Sequence, residues 1–447
     1  MKINLPKNIN YSAIVVEIKT LVPLEKCDNV QGAIIMGNQV VVSKDVKVGD
    51  IGLYFPLECA LSKEYLSNNN LYRKPELNAD PNQKGYFEES GRIRCVRFRG
   101  HKSEGLFMPK ESVIAFLKVG DKIDIGDTFD ELNEIPICSK YVVKTNITPG
   151  QPGNKKTRDT KKYESKLVEN QFRFHQDTSM LYRNLHRIEP NSLISCTYKL
   201  HGTSGISSYV LCKQPITKLS KFKEWCWEFT NKIENLFRSS KYHFRLDDTK
   251  YDYIYSSRKV IKNEELNPNA QHFYNEDIWR IAHNEVKDFL QKGMTFYYEI
   301  VGFLPNGGSI QKDYDYGCEP TKHAVYIYRI TSTNVDGKVI EFSAKQVQDF
   351  CKKNGLNPVP ELYYGFAKEF SDERMSRENW EIKFLETIKA KYNEKDCYIC
   401  ANKVPEEGVV IRVEGTDFEA FKAKSERFYA RETAQLDKGE SNIEDDN

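Results

Sequence analysis

Residues 197–208 read TYKLHGTSGISS, and Lys199 stands there at the end of an apolar, strand-like run. A buried strand has no use for a lysine, and a surface turn has no need of a histidine, a glycine and small hydroxyls in succession. Two readings fit: a solvated lysine on a plain turn, or a nucleophilic lysine on a turn that handles phosphate. A lysine nucleophile must be unprotonated, yet an unperturbed lysine is neutral only about once in a few thousand molecules at neutral pH. Neighbouring cations lower that cost, and they also stabilise the charge that builds on a phosphate under attack. Candidates follow downstream: Arg258 in SSR, then Lys422 and Lys424 in FKAKSERF. Carboxylates come as Glu299 in YEIVG and Glu407 in EEGVVIR, and aromatic residues as VYIYRI. Taken singly, each has a plain alternative: Glu299 as a structural pair, Glu407 as a turn residue, FKAK as a solvated edge.

Their order around Lys199 changes the weighing. It resembles the covalent nucleotidyltransferase superfamily of ATP-dependent ligases and capping enzymes, whose nucleophile motif is Lys-x-Asp-Gly, with histidine in place of aspartate in some RNA ligases. With a β-rich domain in front, the chain looks most like the family 5 RNA ligases, over motifs from Phe172 to Glu432. The resemblance implies that Lys199 is the adenylated lysine and that His201 and Gly202 belong to the nucleotide-binding set, Gly202 letting the backbone approach the nucleotide. It places Arg258 near ribose or phosphate, Glu299 on the adenosine ribose or the metal, Glu407 on the metal, and Lys422 and Lys424 on phosphate. The adenine-stacking aromatic should lie in VYIYRI, in a register open between Val325, Tyr326 and Tyr328, with Tyr326 preferred. ATP and a divalent metal, Mg²⁺ or Mn²⁺, are the implied cofactors. The implied substrate is RNA with 5′-phosphate and 3′-hydroxyl ends, as in a nicked duplex. His201 in place of aspartate disfavours a DNA ligase or a GTP-using capping enzyme, the enzymatic rivals. A catalytically inactive RNA-binding protein on the same fold is the rival of another class.

Other features point less far. His175, in FRFHQDT, has no catalytic partner nearby in sequence and reads as a packed histidine rather than a pocket residue. The eleven cysteines suggest no disulfide framework. Cys397 and Cys400, in CYIC, lack the second ligand pair that a zinc site needs and read as two partly buried thiols. The formal net charge of +2 gives no global attraction to nucleic acid or membrane, so any basic surface must be local. No apolar run reaches membrane or signal-peptide length. A cytoplasmic monomer is expected.

Positioning these residues requires strands, and the expected fold class is α+β. Residues 1–143 carry short alternating runs divided by turn signals, which suit a small OB-like β-barrel. Residues 144–165 form a basic, Pro/Gly-containing linker. Residues 166–434 mix strands and helices, as a nucleotidyltransferase (ATP-grasp-like ligase) domain of antiparallel sheets and helices would, and 435–447 form an acidic tail. Helices are expected over KFKEWCWEFTNKIENLF and over AKQVQDFCKKNG, the second with Ser343 as N-cap and Gly355 as stop. In the front domain, GRIRCVRFRGHKSEG carries Arg92, Arg94, Arg97, Arg99 and Lys102. A bulge near Cys95 would bring the arginines to one strand face, as a stripe that holds a nucleic-acid backbone or merely protects a sheet edge.

Overall fold

The computed structural model describes residues 4–142, 167–213, 249–263, 276–372 and 374–437. The basic linker, the helix expected over KFKEWCWEFTNKIENLF and the acidic residues from Lys438 onward lie outside these ranges.

The front domain is built on β1 (Ala13–Glu17), β2 (Val30–Ile35), β3 (Asn38–Ser43), β4 (Ile51–Phe55), β5 (Val96–Phe98), β6 (His101–Ser103) and β7 (Leu106–Pro109). Strand β3 shows why these runs fold as they do: Asn38, Val40 and Val42 are buried while the residues between them are half exposed. A two-residue turn, Met36 and Gly37 with φ of 51° and 74°, joins β2 to β3. Positive φ at both positions matches the right-handed twist of a hairpin. Strands β1, β4 and β7 join Thr128–Phe129 in a four-stranded antiparallel sheet, and β2 and β3 join Thr20–Val22 in a second.

The basic segment departs from the expected single strand. Only β5 and β6 pair, and Arg99 (φ 49°) with Gly100 (φ 89°) forms the turn between them. Arg92 sits earlier, in an isolated bridge with Ala60. The five cations therefore share no strand face. Turn chemistry overrode the alternation, because the hairpin needs positive φ where Arg99 stands.

The second domain contains β8 (Leu193–Tyr198), β9 (Thr203–Lys213), β10 (Thr249–Ser257), α1 (Ile278–Val286), β11 (Met294–Gly302), β12 (His323–Thr333) and α2 (Ala344–Asn354). It continues with β13 (Glu361–Phe366), α3 (Arg377–Tyr392), β14 (Gly408–Val413), β15 (Glu419–Lys424) and α4 (Glu426–Asp437). Two sheets result. One is five-stranded, with β15, β14, β8 and β13 after Ser179–Met180; the other is six-stranded around β10, β9, β11 and β12. Helix α2 has the expected ends: Ser343 and Gln346 form a capping box, and Gly355 closes it with φ 67°.

The domains are packed together. Lys389 on α3 donates to Asn38 Oδ1 at 2.8 Å, and Arg183 donates to the Ser12 carbonyl at 2.6 Å. Helix α4 reaches across to the basic segment. Its Glu426 pairs with Arg97 at 2.6 Å and with Lys102 at 3.3 Å, and its Asp437 pairs with Arg92 at 3.4 Å and Arg94 at 3.2 Å.

Candidate active site

Lys199 lies where the chain leaves the five-stranded sheet at β8 and enters the six-stranded sheet at β9. Both sheets therefore face it. The pocket between them is lined from one sheet by Ser195, Thr197, Val410, Arg412 and Lys422, and from the other by Ser204, Glu299, Ile327 and Tyr328. Arg258, at the end of β10, and His175 complete one wall. Motifs scattered over more than two hundred residues converge because each stands on or beside a strand of one of these sheets.

Lys199 Nζ is 2.5 Å from Glu407 Oε1, and Glu407 is almost wholly buried. The His201 ring approaches the same carboxylate, Nδ1 to Oε2 at 3.8 Å, and is wedged edge-on between Tyr314 and Phe428. Its backbone N–H donates to the Tyr316 hydroxyl at 2.6 Å. His201 thus backs Glu407 rather than lining the pocket. Glu299 is oriented by two donors: the Gly202 N–H at 3.2 Å on one oxygen and the Ser204 hydroxyl at 3.0 Å on the other. Arg258 is fixed by Asp177, with contacts of 2.5 and 3.1 Å.

The structure sets four of these residues in surroundings that the sequence did not show. Gly202 does not line the pocket; a Cβ there would collide with the Ile300 carbonyl of β11, so strand packing requires the glycine. Tyr326 does not line the pocket either, whereas Tyr328 does, although both tyrosines pack against the cluster that holds Cys397 and Tyr314. Lys424 points to the junction with the front domain, 3.1 Å from Glu58 and 3.5 Å from Glu432. Burial would lower its pKa, but Glu432 and Glu58 raise it well above the usual lysine value. In return, Glu58, which burial alone would push up, is held at about 2, chiefly by Lys424. Finally, His175 is a pocket residue. Its Nδ1 is 3.0 Å from the Tyr328 hydroxyl, and burial, with Arg258 nearby, lowers its pKa to about 3. It stays neutral and buttresses Tyr328.

Sequence reasoning also missed Arg412 and Phe418 on the pocket wall. Arg412 was signalled by its setting, a charge inside the apolar run GVVIRV; its guanidinium donates to the Phe342 carbonyl at 2.5 Å. Phe418 gave no signal. Next to Glu407, Glu406 is also buried, and burial with the neighbouring Cys397 and Glu407 pushes its pKa up to about 9. Among the described residues no group of three or more His, Cys, Asp or Glu side chains is gathered as a metal cage.

A small antiparallel front domain, and a two-sheet domain that sets Lys199 against the buried Glu407, make up a mixed α+β ligase architecture. Comparisons agree: an OB-fold domain model matches residues 12–110, and the RNA ligase family model matches residues 193–427, more than half of the chain. The chain belongs to the RNA ligase family, enzymes that join RNA ends. No curated protein sequence matches it. Among solved structures, a variant of Naegleria gruberi RNA ligase with ATP and Mn aligns at TM-score 0.55 and 18% identity, covering 94% of this chain and 98% of that one. The same enzyme with PPi aligns at TM-score 0.54 and 18% identity, covering 95% and 98%. These likenesses extend the shared fold over both domains.

Proposed function

We propose that this RNA ligase uses ATP and seals 3′-hydroxyl/5′-phosphate breaks through a lysyl-AMP intermediate. The observation that carries the reading is Lys199, held at 2.5 Å by buried Glu407 on the floor of a two-sheet pocket that also presents Lys422, Arg258 and Glu299. Adenine fits the stretch lined by Tyr328, Ile327, Val347 and Val410, with Glu299 oriented to accept from the ribose. Lys422 and Arg258 offer cationic charge to the phosphates. Lys199 attacks the α-phosphorus once its pairing with Glu407 is released, because a carboxylate at that distance favours the ammonium form. Pyrophosphate leaves; AMP then passes from Lys199 to an RNA 5′-phosphate, and a 3′-hydroxyl displaces it. The ligase structures from Naegleria that hold ATP and Mn support the choice of nucleotide and metal.

The residues fit a divalent cation of the kind that accompanies nucleotides. Such ions take one or two carboxylates and fill their remaining positions with phosphate and water, so a full protein cage is not needed. Glu407 would hold it, with Glu299 near the nucleotide. When bound, Mg²⁺ or Mn²⁺ supplies charge stabilisation on the phosphates.

The segment from Arg92 to Lys102 is assigned to the RNA backbone of a nicked duplex. Phosphates there would compete with Glu426 and Asp437 for the same cations. The chain is expected to act as a monomer inside the cell. No helix among the described residues is long and apolar enough to cross a membrane. The test is a sealing assay on nicked duplexes with ribose or deoxyribose on each side of the break, with ATP or GTP. Sealing at an RNA 3′-hydroxyl with ATP supports the reading; sealing that needs GTP, or that occurs only on DNA, overturns it.

A further inference from the structure

The turn that carries Lys199 is held by side chains that the chemistry above does not use. The Lys199 N–H donates to the Gly408 carbonyl at 2.9 Å, and the Gly202 N–H to Glu299 at 3.2 Å. Two more holds come from the segment between β11 and β12. The Tyr316 hydroxyl accepts from the His201 N–H at 2.6 Å, and Gln311 Nε2 donates to the Gly202 carbonyl at 2.7 Å. Both side chains are buried, and neither lines the pocket beside Lys199. The segment is itself fastened at several points. Asp315 accepts from the Gly317 N–H at 2.7 Å and from the Ala401 and Asn402 N–H groups, both at 2.9 Å. The Tyr314 hydroxyl donates to the Pro405 carbonyl at 2.7 Å, just ahead of Glu407. Arg431 on α4 pairs with Asp313 and lies over the Tyr314 ring at 5.5 Å. Tyr316 also sits at φ 47°, a conformation that a bulky side chain keeps only where its surroundings enforce it.

We propose that Tyr316 and Gln311 are positioning residues for adenylation: together they set the turn that aims Lys199 at the α-phosphate. The inference rests on the lysyl-AMP reading of the pocket. Glu407 acts on Lys199 through its side chain, whereas Tyr316 and Gln311 act through the backbone at His201 and Gly202. Removing either one leaves a buried peptide group without its partner, and the turn relaxes toward another. A shift of about 1 Å at a nucleophile can cost on the order of a hundredfold in rate, even when nothing that touches the substrate has changed. The Tyr314 bond to Pro405 ties the same segment to the strand that brings Glu407, so both members of the Lys199–Glu407 pair are referred to one fixed body. Because Tyr316 and Gln311 stand behind the turn and outside the pocket lining, ATP binds as before when they are changed. The loss falls on the rate at which Lys199 Nζ attacks.

The test uses the full chain and reads label retained from α-labelled ATP with Mn²⁺ against time, over a range of ATP concentrations. It yields a maximal rate, the ATP concentration that gives half of it, and an end point that counts folded protein. Tyr316→Phe removes only the hydroxyl, and Gln311→Leu removes the amide at similar volume. Each is expected to lower the maximal rate roughly tenfold or more, with half-saturation within about twofold of wild type and the wild-type end point. If one variant yields no folded protein, the other decides by the same readings. A folded variant that adenylates within about twofold of wild type, or whose loss appears in half-saturation instead of rate, would overturn the positioning role. So would end points that fall short with no change in rate, the mark of residues that serve the fold alone. Wild type that takes up no label would overturn the lysyl-AMP reading, and this proposal with it.

Discussion

Lys199 and the cations of the front domain are both basic groups that meet carboxylates, but the two meetings are built differently. At Lys199 the partner, Glu407, is almost wholly buried and stands beside an open pocket that converging strands keep in register. At Arg92, Arg94, Arg97 and Lys102 the partners, Glu426 and Asp437, come from the two ends of a single helix, and Arg97 is well exposed. The first pair gains from low dielectric and fixed geometry; the second is mixed, with Glu426 and Arg92 buried but Arg94, Arg97 and Asp437 open to screening by water and salt. The same contrast divides Lys422 from Lys424. They are two residues apart on β15 and share an adjoining cavity with Arg258 and Glu58, yet only Lys422 also lines the pocket beside Lys199, while Lys424 pairs with Glu58 and Glu432.

The sharpest break in this comparison is Glu407→Gln. It should lower Lys199 adenylation by about a hundredfold to a thousandfold, measured as label retained per minute, since it removes a preorganised charge from a buried site. Next is the aromatic pair on β12. Tyr328→Ala should raise the KM for ATP by roughly tenfold or more through lost base stacking, while Tyr326→Ala should leave it within about twofold. The reverse pattern in steady-state kinetics would restore the register that the sequence favoured. Smaller effects belong to the domain junction. Arg97→Ala combined with Arg99→Ala should weaken sealing of a nicked RNA duplex several-fold, flatten its salt dependence, and leave adenylation intact. If instead Arg97→Ala and Glu426→Gln loosen the fold alike and leave RNA affinity alone, the segment is a clasp and nothing more.

The smallest effect is one of pH. Glu58 is held at about 2 in the folded chain, against about 4.3 unfolded. A carboxyl with a depressed folded pKa stabilises the fold fully above its unfolded value and loses that contribution as the pH falls toward the folded one. Chemical denaturation of wild type should therefore lose stability between about pH 4.5 and 2.5 more steeply than Glu58→Gln. Equal slopes would show that the Lys424 pair contributes nothing to the junction.

Much of this molecule was legible because its chemistry sits on strands. Lys199, Arg258, Glu299, Glu407 and Lys422 could be singled out in order because each stands on a strand or next to the end of one. What resisted reading was long-range. Nothing local to FKAK says that the front domain will place Glu58 beside Lys424, and alternation alone cannot choose between Tyr326 and Tyr328. The basic segment misled for a local reason: Arg99 and Gly100 are turn residues, and a turn breaks the two-residue period that a stripe needs. His175 looked isolated because its partner, Tyr328, is far away in sequence.

The central claim is the covalent role of Lys199, and one measurement addresses it directly. The protein is incubated with α-labelled ATP and Mn²⁺, denatured, and resolved by electrophoresis. Label should remain on wild type and be absent from Lys199→Ala. Wild type that retains none, or a variant that labels as well as wild type, would contradict the account.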